Sequence, residues 1–262
     1  MAVEQEPISY EDAVAGSEQR LYDEGFYNLD QEVYVKKVAN RYGLSEAKGS
    51  KLPLDVGYYQ SRKDSKSLPD NKRYHSLVGA LLYVSVNARP DISAGVAFLG
   101  RCVCNPLEVD WAELKRVVKY LLSTSHYKLK LSLNRAKPFI LIGYCDSDWA
   151  SNSSDRKSNT GYIYQIGYAT VCWASRKQAK VSLSSMEAEY IALSEASKEV
   201  VWLRRLLAKM DAKQPDATII YEDNYYTSCI SFVEVERQSR LSKHIDTRMP
   251  YTMDLVKRVL SR

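Results

Sequence analysis

The feature of this sequence that most constrains its fold is a change in hydrophobic period near Ser125. Upstream, over residues 27–125, apolar residues recur at the spacing of one helix face, as Val117, Val118 and Leu121 do. Downstream, short apolar runs alternate with polar residues and are separated by turn residues, which is typical of strands. The chain is therefore predicted to hold a helical region followed by a region built on a sheet.

The helical region is preceded by a polar, acidic segment without a clear period, which is interpreted as a poorly ordered terminus. Within the helical region, residues 57–71 are interpreted as a polar linker, and Asp110 is a candidate N-cap. Helices are predicted over 27–43, 74–86, 91–102 and 110–122. The predicted parts are an acidic N-terminus (1–26), a mainly helical region (27–127) and a sheet-containing domain (128–262).

The sheet-containing domain is predicted to be a mixed α/β fold. Residues 185–210 have the length and period of a long helix, and Gly167 lies between two runs that suggest a hairpin. Four strands, a helix, a strand and a further helix form an order typical of a mixed sheet with helices packed on it. The predicted strands cover 128–133, 139–144, 161–166, 169–174 and 217–221.

Composition argues against several classes of protein. The five cysteines are dispersed without a CxxC pair, which favours reduced thiols in an intracellular protein, cytoplasmic or nuclear, over a disulfide framework or a zinc site. The first residues lack the pattern of a signal peptide. No apolar run approaches the ~20 residues that a membrane helix needs, so no membrane partner is expected.

Charge is spread unevenly along the chain. Residues 1–30 hold eight acids and one base, Arg20, and carry −7, whereas the whole chain carries +5, so the remainder carries +12. A basic body is favourable for contact with a phosphate backbone. Many basic proteins bind no nucleic acid, so charge alone indicates this partner only weakly.

Three acidic sites could carry chemistry. Asp146 falls near the C-terminal end of the strand predicted at 139–144, an edge from which catalytic side chains often project in α/β sheets. Its alternative role is to cap backbone amides in a turn. Asp223 follows a second apolar strand in the same manner.

The start of the long helix holds the third site, with Glu187 and Glu189. Ser184 or Ser185 can cap this helix, and acids in its first turns suit the helix dipole, which is a purely structural role. The functional alternative is that one glutamate faces the sheet as a metal ligand. Two strands ending in Asp and a helix bearing Glu would supply the hard oxygen ligands that Mg²⁺ or Mn²⁺ prefers.

Four segments closely resemble the ribonuclease H region of copia-type (Ty1/copia) retrotransposon Pol polyproteins. They are GYCDSDWASNSSDRKSNTGYIY, SRKQAKVSLSSMEAEYIALSEASKEVVWLRRLL, IIYEDN and LSKHID. Upstream, DQEVYVKK, YHSLVGALLYV, NARPDIS and LKRVVKYLL resemble the end of the reverse transcriptase and the connection that follows it in the same polyproteins. The resemblance covers about residues 27–260.

The resemblance implies a ribonuclease H-like mixed sheet with flanking helices, preceded by a mainly helical connection. Its metal-binding and catalytic residues fall on Asp146, Glu189 and Asp223, because the family's metal glutamate directly precedes an apolar run, as Glu189 does. The implied activity is metal-dependent endonucleolytic hydrolysis of the RNA strand of RNA–DNA hybrids, with two Mg²⁺ or Mn²⁺ ions in an intact member. Asp148 and Glu222 are interpreted as turn and solvent residues.

Other residues invite weaker interpretations. His244 and Asp246 could form a ligand pair, but in the family their segment begins a helix, so Asp246 is interpreted as a helix-start residue. His75 and His126 have no acids around them in sequence and are interpreted as surface or packing residues. The Tyr-x-Asp-Asp turn of polymerases is absent from the sequence, so no polymerase activity is expected.

The sequence also departs from the family pattern. The residues after Asn224 are large rather than small, and Pro250 falls inside an expected helix. The family's last strand and helix, which bring a fourth metal-binding Asp, have no counterpart before Arg262. We therefore expect impaired hydrolysis and possible self-association through an exposed sheet edge. The alternatives are a catalytically inactive nucleic-acid-binding remnant of a transposon polyprotein and a remnant with no selected function.

Overall fold

The structure is a computed structural model that describes residues 21–23, 26–132, 139–150, 155–167 and 169–222. The chain divides into two compact units, Met1–Asn134 and Arg135–Arg262, each of which is described by itself. The predicted metal ligand Asp223 and the segment around Asp246 lie outside the described residues, as do residues 1–20.

Among its described residues, the first unit combines five helices with a three-stranded antiparallel sheet. A short 3-10 turn, Pro90–Ile92, precedes the fourth helix. The sheet has the order β1-β2-β3. In chain order the elements are β1 (Leu21–Asp23), β2 (Phe26–Leu29), α1 (Glu32–Arg41), α2 (Tyr58–Ser61), α3 (Lys72–Asn87), α4 (Ser93–Gly100), α5 (Glu108–Ser123) and β3 (Leu129–Ser132).

The core of the first unit lies where α3, α4 and α5 pack together. Residues at helical spacing are fully buried there, including Leu77 and Leu81 of α3 and Leu114 and Leu121 of α5. Tyr74 adds a buried ring whose hydroxyl donates to the carbonyl oxygen of Leu99 at 2.8 Å. The helical period of the sequence therefore predicted this core correctly.

The segment predicted as a polar linker contributes to the core instead. Tyr58 in α2 is 1% exposed, and its hydroxyl donates to Asp110 Oδ1 at 2.6 Å. Arg62 pairs with the same carboxylate at 2.9 Å. Asp110 is not an N-cap, because α5 begins at Glu108 and the Asp110 carboxylate accepts from the backbone amide of Leu107. A buried ionic group thus joins two segments of the first unit.

The boundary between the units lies after Asn134, rather than after residue 127 as predicted. The strand predicted at 128–133 does form, as β3, but it pairs antiparallel with β2 of the first unit, with Leu29 opposite Leu129. The helix predicted over 27–43 is correspondingly shorter, because its first residues form β2. Residues 21–23, predicted to be poorly ordered, form β1 against β2.

Over the residues that the structure describes, the second unit contains a four-stranded mixed sheet with one long helix against it. The predicted hairpin is confirmed, and Gly167 at its turn has a φ of +55°, a conformation that glycine adopts without strain. The strand order is β6-β5-β4-β7, with β4 antiparallel to β5 and parallel to β7. The elements are β4 (Leu141–Asp148), β5 (Asn159–Ile166), β6 (Ala169–Lys177), α6 (Ser185–Lys209) and β7 (Ile219–Tyr221).

One face of this sheet packs on α6. Leu141 and Cys145 of β4 are buried together with Tyr164 of β5. Opposite them lie Ala196, Val200, Leu203 and Leu207 of α6, which recur at helical spacing. The architecture is therefore mixed α/β with a mixed sheet and a flanking helix, as predicted. Among the described residues, no helix is long and apolar enough to cross a membrane.

Candidate functional site

Asp146 lies within β4, two residues before its end. Because side chains alternate along a strand, Cys145 is buried against α6 whereas Asp146 is exposed. β4 is longer than predicted, extending to Asp148, which is also exposed. In the register with β5, Asp146 is opposite Gly161, which has no side chain.

The two glutamates at the start of α6 have different environments. Ser184 is the N-cap, and its hydroxyl accepts from the amide of Glu187 at 3.1 Å. The Glu187 carboxylate accepts in turn from the amide of Leu183 at 2.6 Å, so this residue caps the helix. Glu189 is only 6% exposed. Glu187 thus has a structural role at the helix start, and the role of Glu189 as a metal ligand stays a prediction.

A buried glutamine holds the start of α6 against the sheet. The Gln178 amide nitrogen donates to Thr160 Oγ1 of β5 at 3.1 Å and to the carbonyl oxygen of Ala188 at 2.9 Å. Its amide oxygen accepts from the Ser182 hydroxyl at 2.9 Å. Ala188 directly precedes Glu189, so Gln178 fixes the backbone next to this glutamate. Gln178 could not be identified from the sequence, because a lone glutamine after a strand carries no periodic signal.

A second contact fixes the loop between β6 and α6. Trp149, directly after β4, donates its indole N–H to the carbonyl oxygen of Ser182 at 3.2 Å. Ala150, which follows, has a φ of +50° and donates its amide to the Ser158 hydroxyl at 3.1 Å. The end of β4 is therefore tied to the approach of α6, and both segments carry a candidate ligand.

Strand β7 runs parallel to β4, with Tyr144 opposite Tyr221. The two rings stack at 5.3 Å between centroids and 23° between planes, on the exposed side of the sheet. Glu222, which follows β7, is partly buried. Asp223 lies outside the described residues, so the predicted convergence of three carboxylates stays a prediction. Within the described ranges, no group of three or more His, Cys, Asp or Glu residues suited to a metal ion occurs.

The histidines that sequence analysis set aside have packing contacts. His75 Nε2 lies 2.7 Å from the carbonyl oxygen of Val103, which joins α3 to the turn after α4. The His126 ring contacts the Tyr127 ring edge to face, with centroids 4.7 Å apart. Both histidines are exposed, which agrees with their interpretation as surface or packing residues.

A cysteine–glutamate pair lies on the helix-facing side of the sheet. Cys172 Sγ donates to Glu199 Oε1 at 3.6 Å, and the Tyr162 hydroxyl donates to Glu199 Oε2 at 3.2 Å. Burial, and then the negative charge of Glu199, raise the pKa of Cys172 to about 12. A thiol with this pKa is about 1000 times less ionised at pH 8 than one with a pKa near 9, and only the thiolate is alkylated readily.

We expect iodoacetamide at pH 8 to alkylate Cys172 far more slowly than the exposed Cys104, as followed by peptide mass spectrometry. The rate at Cys172 should keep rising as the pH increases toward 12. Glu199→Gln should lower the pKa of Cys172 and accelerate its alkylation while leaving the Cys104 rate unchanged. Equal rates at Cys172 in the two proteins would contradict the proposed influence of Glu199.

Comparison with known proteins identifies several relatives. The Retrovirus-related Pol polyprotein from transposon TNT 1-94 of Nicotiana tabacum is 33% identical over 234 residues, which cover 87% of this chain and 17% of the polyprotein. The Retrovirus-related Pol polyprotein from transposon RE2 of Arabidopsis thaliana is 32% identical over 209 residues, 80% of this chain and 14% of that protein. The chain thus spans less than a fifth of either polyprotein.

A shorter relative matches about half of the chain. The Secreted RxLR effector protein 161 of Plasmopara viticola is 45% identical over 133 residues, which cover 51% of this chain and 92% of that protein. No family model matches the chain, and no solved structure matches it. The two polyproteins match most of its length and agree with the resemblance carried by its motifs. The chain therefore belongs to the copia-type retrovirus-related Pol polyproteins of transposons.

Proposed function

We propose that the second unit is a ribonuclease H-like domain of retrotransposon origin that hydrolyses the RNA strand of RNA–DNA hybrids in a metal-dependent reaction. The observation that carries the proposal is the parallel pairing of β4 with β7, in which Tyr144 is opposite Tyr221. Asp146 follows Tyr144 by two positions in the sequence, and Asp223 follows Tyr221 by two. Because each aspartate lies two residues after one of the paired tyrosines, we expect both carboxylates at the same edge of the sheet.

The environment of α6 supports the same proposal. This helix packs on β4 and β5, and it carries Glu189 as a buried acid in its second turn. A buried acid is rare in proteins unless it is hydrogen-bonded or serves a metal or catalytic site. The hydrogen bonds of Gln178 and Ser184 fix the backbone of Ala188 and Glu187, directly before Glu189, so they would limit movement of this glutamate.

The donor chemistry of the proposed site fits a hard divalent cation. Asp146 and Glu189 offer carboxylate oxygens, the ligands that Mg²⁺ and Mn²⁺ prefer, and Asp223 would add a third carboxylate. When bound, two such ions supply an activated water and neutralise charge on the leaving oxygen of a phosphodiester. The described part of the chain would contribute Asp146 on β4 and Glu189 on α6, two elements that pack together.

We expect Asp146→Asn to lower Mg²⁺-dependent cleavage of a labelled RNA–DNA hybrid by at least ~100-fold, since the change removes a charged ligand without changing side-chain size. Glu189→Gln should have an effect of similar size. The measurement is the initial rate of cleavage by the 262-residue chain, resolved on a denaturing gel. Omitting the divalent cation should abolish cleavage by the unmodified protein.

Two neighbouring acids provide matched controls. Asp148→Asn changes an exposed acid on the same strand as Asp146, and Glu195→Gln changes an acid of α6 that pairs with Lys198 at 2.9 Å. Both variants should cleave at the unmodified rate. If Asp146→Asn cleaves as fast as Asp148→Asn, Asp146 is not a ligand and the proposed site is wrong.

The second candidate function is nucleic-acid binding without catalysis. The charge distribution favours it, because the chain carries +12 outside its acidic first 30 residues. A hybrid-binding titration at two salt concentrations separates the two candidates. Salt-sensitive binding without cleavage in Mg²⁺ would support the second candidate and contradict the first.

A further inference from the structure

A network of hydrogen bonds connects the two elements that carry the described carboxylates of the proposed site. Asp146 belongs to β4 and Glu189 to α6. The network begins at Trp149, directly after β4, and reaches Ala188, directly before Glu189. We call it the Gln178 network, after its central residue. Its members are Trp149, Thr160, Gln178, Ser182 and Ala188.

Gln178 uses both ends of its amide in this network. The nitrogen donates to Thr160 Oγ1 at 3.1 Å and to the carbonyl oxygen of Ala188 at 2.9 Å, and the oxygen accepts from the Ser182 hydroxyl at 2.9 Å. The side chain is 5% exposed, so these bonds are shielded from water. A flipped amide would place its oxygen against the Ala188 carbonyl with no hydrogen between the two acceptors, so a single orientation is favoured.

The backbone of Gln178 is itself anchored, and Ser182 extends the network toward β4. The Gln178 amide N–H donates to the carbonyl oxygen of Ser158, next to the start of β5, at 2.9 Å. The carbonyl oxygen of Ser182 accepts from the indole N–H of Trp149 at 3.2 Å. Ser182 is 3% exposed, so its polar groups are held within the fold. A continuous series of bonds therefore runs from the start of α6 to the end of β4.

The apolar cluster between the sheet and α6 is centred away from Glu189. Its buried α6 residues begin at Ala196, seven residues later and roughly 10 Å along the helix. Apolar contacts have no preferred direction, whereas hydrogen bonds weaken steeply when their distance or angle changes. An ion such as Mg²⁺ needs oxygen ligands at about 2.0–2.1 Å in a nearly fixed geometry. Directional bonds at the start of α6 therefore suit a site that two elements build together.

We propose that Gln178 is a positioning residue of the proposed metal site, which sets the affinity for the divalent ion without touching it. The inference rests on the proposed function, since it concerns the same carboxylates. The network holds the backbone before Glu189 to β5 and to the end of β4, and so fixes the elements that carry the two ligands relative to each other. Without it, the ligands must be ordered when the ion binds, and that cost lowers the affinity.

The test is binding of Mn²⁺ alone to the 262-residue chain, measured from the electron paramagnetic resonance signal of the free ion. Gln178→Met keeps the approximate size of the side chain and removes its hydrogen bonds. It should raise the dissociation constant for Mn²⁺ about tenfold, the lower end of the range for residues that orient metal ligands. Asp146→Asn, which removes a charged ligand, should raise it about 100-fold and so identify the site that is measured.

Gln214→Met is the matched control. Gln214 is also 5% exposed. Its amide oxygen accepts from the amide of Leu141 at 2.8 Å, and its nitrogen donates to the carbonyl oxygen of Phe139 at 3.0 Å. Leu141 begins β4, five residues and roughly 17 Å before Asp146. The control removes comparable buried bonds at the opposite end of the strand, so it should leave the dissociation constant within about twofold.

Hydrogen–deuterium exchange in EDTA shows whether the effect on affinity arises from positioning. Peptides that cover residues 183–190 should exchange faster in Gln178→Met, while those that cover residues 196–209 keep their protection. Gln214→Met should leave exchange over residues 183–190 unchanged. This measurement needs neither metal nor cleavage, so it reports on the backbone whether or not the chain hydrolyses hybrids.

Trp149→Phe tests the network with a milder change, for the case in which Gln178→Met does not fold. Phenylalanine keeps a ring but cannot donate to the carbonyl oxygen of Ser182. The Trp149 side chain is 47% exposed, so water can replace part of the lost bond. The dissociation constant for Mn²⁺ should therefore rise only about threefold. If Gln178→Met does not fold, an unchanged constant in Trp149→Phe would overturn the inference.

The outcomes separate the inference from the proposed function. Equal dissociation constants for Gln178→Met and Gln214→Met would overturn the inference and leave the proposed function standing. Weaker Mn²⁺ binding by Gln178→Met with unchanged exchange over residues 183–190 would do the same, because the effect would not arise from positioning. If the unmodified chain binds no Mn²⁺, the proposed function fails and the inference fails with it.

Discussion

Replacement of Asp110 by alanine is expected to reduce the free energy of unfolding of the first unit by about 3–5 kcal/mol. Asp110 is fully buried, and its carboxylate receives hydrogen bonds from the Tyr58 hydroxyl, the Arg62 guanidinium and the amide of Leu107. Removing it leaves these donors without their acceptor, including a guanidinium whose side chain is only 32% exposed. The cost of unpaired buried donors exceeds the net contribution of the intact pair.

The measurement is hydrogen–deuterium exchange at increasing urea, followed by mass spectrometry of peptides from each unit. Peptides of α2 and α5 should lose protection at lower urea in Asp110→Ala, whereas peptides of α6 should not change. Asp64→Ala, which removes an exposed acid three residues after α2 ends, is the matched control and should change stability by less than about 0.5 kcal/mol. Unchanged protection of α5 in Asp110→Ala would show that the carboxylate does not stabilise the first unit.

Replacement of Gly143 by alanine is expected to destabilise the second unit by about 3 kcal/mol. A Cβ at this position in β4 would lie 2.5 Å from Cε1 and 3.0 Å from Cδ1 of Tyr164, closer than atoms approach in folded proteins. The Tyr164 ring cannot easily move, because it is fully buried and its hydroxyl donates to the carbonyl oxygen of Ala196 in α6 at 2.5 Å. The strand would have to shift away from β5 or from the helix.

Gly79→Ala provides a matched control, for which the expected change in stability has the opposite sign. A Cβ at Gly79, on the exposed side of α3, would meet no atom within 4 Å. Gly79→Ala should therefore stabilise the first unit by about 0.5–1 kcal/mol through helix propensity. The urea midpoint of β4 peptides should fall in Gly143→Ala, and the midpoint of α3 peptides should rise in Gly79→Ala. A β4 midpoint equal to that of the unmodified protein would mean that the second unit accommodates a methyl group beside Tyr164.

The elements that sequence analysis predicted well are those whose residues repeat locally. The long helix was predicted over 185–210 and is observed over Ser185–Lys209, because its apolar residues recur at helical spacing. The hairpin around Gly167 was predicted from two short apolar runs and a turn residue. Ser184 and Ser185 were both candidates for the cap of this helix, and the structure shows that Ser184 is the N-cap.

The errors arose where the partner of a residue lies far away along the chain. Residues 128–133 were correctly predicted as a strand but assigned to the wrong unit, because pairing with β2 depends on residues about a hundred positions earlier. The polar segment after residue 57 was interpreted as a linker, although its Tyr58 and Arg62 complete a buried ionic group with Asp110. A polar side chain can be buried only with its partner, and a local pattern does not identify that partner.

In the candidate site, too, some features follow from the local sequence and others depend on the tertiary structure. The sequence alone determined which acids are candidates, because motif order and the position of each acid relative to an apolar run are local properties. Only the tertiary structure decided that Glu189 is buried, that Asp146 is exposed, and that β4 and β7 are parallel neighbours. It also revealed Gln178 as the bridge between β5 and α6. Burial and strand pairing depend on contacts between distant segments, which no local sequence period specifies.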